Sequence, residues 1–88
     1  MDFRHLRYLI AAVEEGSFQG ASQRVHVAQP ALSRRIRDLE VELGCELLVR
    51  GARGVTPTRA GEAFYRKALN ILEELDEASQ LARSIGSE

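Results

Sequence analysis

The chain has little cysteine: Cys45 stands alone, so no disulfide can close within the chain, a pattern that suits a reducing cytoplasm better than a secreted scaffold. It also lacks a membrane-length apolar run. The longest near the start, "YLIAAV" at 8–13, stops at Glu14 and Glu15, too short for a span and with no signal-peptide cleavage pattern after it. There is no internal repeat and no low-complexity segment. His5 and His26 are isolated, with no Cys/His cluster at ligand spacing, which excludes a recognisable metal site. No nucleophile–base set, carboxylate pair or phosphate-cradling loop emerges, so an enzyme has almost no support. Cys45 follows a helix end beside Glu46 without the positive surroundings of a reactive thiolate. It reads as a half-buried structural thiol.

What is present is ordinary soluble composition, 44% hydrophobic and 28% charged over 88 residues, enough for one small domain or one domain plus a projecting helix. A single core of this size is marginal, so a partner surface would help. The net charge of −1 hides an uneven distribution. Residues 1–59 hold nine Arg/Lys against seven acids, residues 60–88 hold three against six, and no acid falls between Gly16 and Arg37. Local basic surface is what a polyanion would sense.

Caps and periodicity divide the chain. Asp2 is a good N-cap for a first helix whose stripe is Phe3, Leu6, Ile10 and Val13; Gly16 ends it and Ser17 caps the next. A short second helix at 18–25 turns Phe18, Ala21 and Val25 inward. After the brief "HVA" connection, Pro30 sits in the first turn of a third helix that Gly44 closes, where a missing N–H matters least. Residues 46–58, "ELLVRGARGVTPT", carry strand-favouring Leu47, Leu48, Val49 and Val55 around a glycine-bounded turn, which predicts a two-stranded hairpin. Thr58 then caps a last helix from 59 to about 84. The predicted fold class is mainly α: a winged helix-turn-helix with a three-helix core and β-hairpin wing, followed by a long linker or dimerisation helix.

On the third helix the charge is segregated. With Leu32 at zero, Ile36, Leu39 and Leu43 fall within about 40° and form the buried stripe. Ser33, Arg37, Pro30 and Arg34 lie on the far side with Gln29 at its edge, while Glu40 and Glu42 wait until the C-terminal half. That pattern suits a helix entering a DNA major groove by its N-terminal end, since Arg pairs with guanine O6 and N7 and Gln with adenine N6 and N7. The uncapped N–H groups of a first helical turn attract phosphate. Arg53 in the wing turn, and Arg50 leading into it, suit a narrow minor groove or the phosphate backbone.

The last helix carries Phe64, Ala68, Ile71, Leu75, Ala78, Ala82 and Ile85 at alternating spacings of four and three, the 3.5-residue repeat of a helix-pair seam. A helix of that length outruns so small a core, which predicts a homodimer. The competing reading is a winged-helix protein–protein module that dimerises the same way and binds no DNA.

The stretch "AQPALSRRIRDLEVELG" at 28–44, followed by "LLVR" and "TPTRAGEAF", resembles the N-terminal DNA-binding domain of LysR-type transcriptional regulators, and the likeness spans almost the whole chain. The resemblance implies a winged helix-turn-helix at 1–58 and a linker helix at 59–88. An effector-binding domain would lie outside this chain and take a small-molecule inducer. It also implies dimers that build tetramers in the full-length protein, partly palindromic double-stranded promoter DNA as partner, and a cytoplasmic location. The DNA-binding residues it carries over are Gln29, Pro30, Ser33 and Arg34 on the helix and Arg50 and Arg53 in the wing. Arg37 joins them from the helical wheel. Three positions depart from the family pattern: Ala28 stands where Ser or Thr is common, removing a side-chain cap, Leu48 where Phe is common, and Gly20 where larger residues are usual.

Overall fold

The computed structural model describes residues 1–88. Asp2 starts α1 (Phe3–Glu15) with a reciprocal cap: its carboxylate accepts from the Arg4 and His5 N–H groups while His5 Nδ1 accepts from the Asp2 N–H. Gly16, with φ +70°, ends α1. Ser17 then caps α2 (Phe18–Val25), its Oγ accepting from the Gly20 N–H at 3.0 Å. His26 closes α2 in the left-handed conformation, φ 58°, a place where histidine is among the tolerated non-glycine residues. Its structural task is thus to turn the backbone between two helices. Ala28 precedes α3 (Gln29–Leu43) with no side-chain cap, and Gly44 ends that helix.

Antiparallel strands β1 (Leu48–Gly51) and β2 (Gly54–Pro57) pair in the register Leu48–Pro57, Val49–Thr56, Arg50–Val55 and Gly51–Gly54. Thr58 caps α4 (Arg59–Gly86) through its Oγ1, which accepts from the Gly61 N–H at 2.9 Å and donates to the Glu46 carbonyl at 2.8 Å. Three helices with a hairpin against them make this a winged helix-turn-helix.

Two clusters hold it together. The main one joins Leu9, Ala11, Ala12, Ala21, Leu32, Ile36 and Leu39 of the three helices to Leu47, Leu48 and Val55 of the wing. The second packs Leu6 and Ile10 of α1 against Ala68 of α4, flanked by Phe64, Tyr65 and Leu72. Helix α1 is therefore sandwiched, and it buries more of its circumference than the stripe at Phe3, Leu6, Ile10 and Val13 predicts: Leu9, Ala11 and Ala12 are all buried, whereas Val13 is only half-buried. Phe3 is 43% exposed, because it lies one turn beyond the α4 contact. Leu43 is likewise exposed, since α3 outruns the core by a turn. Cys45 is exposed, contrary to the half-buried thiol predicted; the turn leaving Gly44 has no element packed over it.

The wing is tied down at its base and at its second strand. The Val55 N–H donates to the Gly16 carbonyl at 3.0 Å, and the Thr58 N–H to the Leu47 carbonyl at 2.9 Å. Gly54, with φ +118°, lies so close to the Gly16 carbonyl that a Cβ would strike it. Gly61 sits equally tight on the Leu47 carbonyl. Both glycines let backbone approach backbone where any side chain would lift the wing or α4 away.

The first half of α4 lies on α1; the second half projects. At 1.5 Å per residue, its 28 residues span about 42 Å, against overall extents of 53 × 25 × 19 Å.

Candidate nucleic-acid interface

The outer face of α3 is built by the opposite constraint to its inner one. Leu32, Ile36 and Leu39 are each at most 1% exposed, so at 100° per residue the residues between them must face outward. Gln29, Pro30, Arg34 and Arg37 are exposed and Ser33 is half-buried. Arg34 and Arg35 line a shallow depression with Pro30, Ala31 and Asp38. A second depression joins Gln29 to the N-terminus of α2 (Ser17, Phe18, Gln19) and to the wing, including Arg50 and Arg53. Helix start, neighbouring helix start and wing tip thus form one surface. Ser17 and Gln19 belong to it although their sequence context marks only a helix cap.

The arginines divide into two sets. Arg4, Arg24, Arg50 and Arg66 each hold a carboxylate, at 2.7–3.3 Å. Arg7, Arg34, Arg35, Arg37, Arg53, Arg59 and Arg83 hold none within 4.0 Å. Three of these, Arg34 and Arg37 on the outer face of α3 and Arg53 in the wing, stand where a polyanion would meet them without first displacing an internal partner. The N-terminal N–H groups of α3 add to that field, since Ala28 offers no side-chain acceptor and the helix dipole is positive at this end.

Arg50 differs from Arg53 in the partners it holds. Its guanidinium turns back from β1 onto α3, donating from Nη2 to Glu40 Oε1 at 3.0 Å and from Nη1 to Ser33 Oγ at 3.3 Å. Its Cζ also lies 4.9 Å from the Phe18 ring centroid. Sequence reasoning missed Glu40, which reads there as an ordinary surface acid. The available signal is weak: it is the acid nearest the basic cluster on the inner-lateral side of α3.

A second ionic group ties α1, α2 and α4 together behind this face. Glu14 accepts from the Tyr65 hydroxyl at 2.6 Å and pairs with Arg24 at 2.7 Å. The Tyr65 hydrogen bond, then the Arg24 guanidinium, hold the Glu14 carboxyl below its ordinary range, and the same bond pushes the Tyr65 phenol up. Arg24, though basic and next to the turn, is thus committed to the scaffold.

Of the seam predicted on α4, Phe64 and Ala68 are covered by the chain's own α1. Ile71, Ala78, Ala82 and Ile85 are exposed and Leu75 is half-buried. No helix is long and apolar enough to cross a membrane.

These features have counterparts in known proteins. Over 87 residues the chain is 46% identical to the HTH-type transcriptional regulator BenM of Acinetobacter baylyi, a match covering 99% of this chain and 29% of BenM. The chain thus spans under a third of that relative's length. A crystal structure of the BenM DBD with catB site 1 DNA superposes with a TM-score of 0.97 at 45% identity, covering 100% of this chain and 99% of that one. The CbnR DBD in its DNA complex gives 0.93 at 41% identity, covering 98% and 99%. The family described as bacterial regulatory helix-turn-helix protein, lysR family, matches residues 3–62, and with the helix-turn-helix, wing and projecting helix in place, this chain belongs to that family.

Proposed function

We propose that this chain is the promoter-reading part of a LysR-type transcriptional regulator. Helix α3 enters the major groove by its N-terminal end, the wing meets the adjacent minor groove or backbone, and α4 pairs two copies over a partly palindromic site. The observation that carries the reading is the placement of Arg34, Arg37 and Arg53, none holding a carboxylate, on the outer face of α3 and the adjoining wing. Arg34 supplies a bidentate base contact, Gln29 and Ser33 supply polar contacts to base edges or phosphate, and Pro30 packs against the groove. Arg37 and Arg53 meet phosphate or minor groove. The superposed relatives captured as DNA complexes support this docking.

Residues 1–58 serve as the reader and 59–88 as the linker. Pairing uses the uncovered part of the α4 seam, Ile71, Leu75, Ala78, Ala82 and Ile85, since Phe64 and Ala68 are already occupied within the chain. In a full-length regulator an effector domain beyond the linker would take the small-molecule inducer, and dimers would assemble into tetramers in the cytoplasm.

The test is selection of duplexes from a random pool by the 88-residue chain, followed by titration of the enriched duplex and a scrambled one over a range of salt. DNA reading requires an enriched motif with two related half-sites and affinity that falls with salt. Equal binding to both duplexes at every salt concentration would contradict it.

A further inference from the structure

The geometry points to Arg50 and Glu40 as a latch that holds wing and recognition helix at one fixed angle, making Arg50 a positioning residue for DNA reading and not a DNA contact. This inference rests on the DNA-reading conclusion above.

The latch is built from both sides. Glu40, on the lateral face of α3, uses one carboxylate oxygen to accept the N–H groups of Leu47 and Leu48 at 2.8 and 3.2 Å. The other oxygen accepts from Arg50. One side chain of the recognition helix therefore grips β1 at its root and again two residues along. Arg50 completes the grip by reaching Ser33 on α3 and by stacking on Phe18 of α2. The side chains of Arg50 and Glu40 are only 22% and 13% exposed. Each terminal nitrogen of Arg50 thus gives one N–H to α3, and Glu40 cancels its charge locally.

That occupancy decides what Arg50 can do. With its charge already met by Glu40, Arg50 has less to offer a phosphate than an arginine without a partner, and leaving Glu40 would turn an uncompensated carboxylate toward the DNA backbone. Remaining in place, it contributes order. A hairpin of two four-residue strands has little rigidity of its own, and an arginine at its tip binds best when its position is set before contact. The latch also fixes the Ser33 hydroxyl. With Oγ accepting from Arg50, the hydroxyl keeps its own hydrogen free to donate elsewhere.

A double-mutant cycle on the duplex enriched by the wild-type chain tests this. Arg53→Ala is measured in the wild-type and Arg50→Ala backgrounds, with salt slopes and melting temperatures for each variant. With a latch, Arg53→Ala weakens binding roughly tenfold in the wild type and less than about twofold once Arg50 is gone, because the tip is no longer delivered. Arg50→Ala alone flattens the slope of log affinity against log salt as much as Arg53→Ala does, the double variant flattens it no further, and Glu40→Gln reproduces the loss of affinity. The latch is overturned by equal factors for Arg53→Ala in both backgrounds, by a double variant whose slope is flatter than that of Arg50→Ala by about one phosphate per half-site, or by a Glu40→Gln variant that binds as tightly as wild type. Should Arg50→Ala fail to fold, the same cycle runs on Glu40→Gln with the same criteria. A wild-type chain that enriches no duplex removes the DNA-reading conclusion itself, and the latch with it.

Discussion

The two halves of α4 carry the same seam but meet different surroundings. Over its first half, Ala68 is 1% exposed and Phe64, Tyr65 and Leu72 pack on α1. Over its second, Leu81 is 62% and Ile85 58% exposed, and no other element of the chain lies near enough to cover them. Sequence periodicity is identical on both sides of Ile71, so it cannot tell a helix laid on its own core from one awaiting another chain. The length of the helix relative to the body separates the two. The first half is held on α1, and Tyr65, Glu14 and Arg24 continue that contact to α2.

The largest effect that sharpens this contrast comes from the covered region. Leu9→Ala, at a side chain with 0% exposure, is expected to cost about 2–5 kcal/mol of folding stability, enough in so small a domain to lower the melting temperature sharply. Leu81→Ala on the projecting half is expected to change monomer stability by no more than about 0.5 kcal/mol, measured at a concentration where the chain is monomeric. Equal losses at both positions would erase the distinction.

Next in size is the recognition face. Arg34→Ala should weaken binding to the enriched duplex by about 1–3 kcal/mol and relax the preference at one base pair per half-site, with the fold intact. Repeating the selection with the variant checks this directly, and an unchanged motif would exclude Arg34 from base reading. Arg53→Ala acts differently. Its loss should be shared by enriched and scrambled duplexes, and the salt slope should become shallower by about one per half-site. If the slope stays put, the wing does not reach the phosphates.

The smallest effect concerns the link between the α4 base and the reader. Tyr65 and Arg24 hold the Glu14 carboxyl below its ordinary range. The stability this contributes is present above the ordinary carboxylate range and is lost as pH falls through the lowered folded-state value. Tyr65→Phe should therefore melt slightly below wild type near neutrality, with the gap closing on acidification. The group is largely exposed, so solvent screening keeps the gap small. A gap that widens in acid would mean the bond does not favour the ionised Glu14.

Much of the fold was legible because its boundaries are set by local chemistry. Asp2, Ser17 and Thr58 cap the helices they precede and Gly16 and Gly44 end the helices they follow, each within a few residues of the feature it controls. The outward face of α3 followed from period alone. What stayed hidden depends on residues distant in sequence. Alanines 11 and 12 look neutral until α1 is known to be packed on several sides. Arg50 and Arg53 look alike as wing arginines, and only folding brings Glu40 and Ser33 to one of them. Cys45 required knowing that nothing covers the turn after Gly44.

Pairing through α4 is tested most directly by stoichiometry at the DNA, measured by sedimentation velocity with a labelled duplex carrying the enriched site. The wild-type chain should load two copies per site at tens of micromolar, and Leu75→Glu, with helices α1–α3 still folded, should load more weakly and one copy at a time. A wild-type chain that sediments as a monomer and saturates the site one copy at a time, with affinity that Leu75→Glu does not reduce, would contradict it.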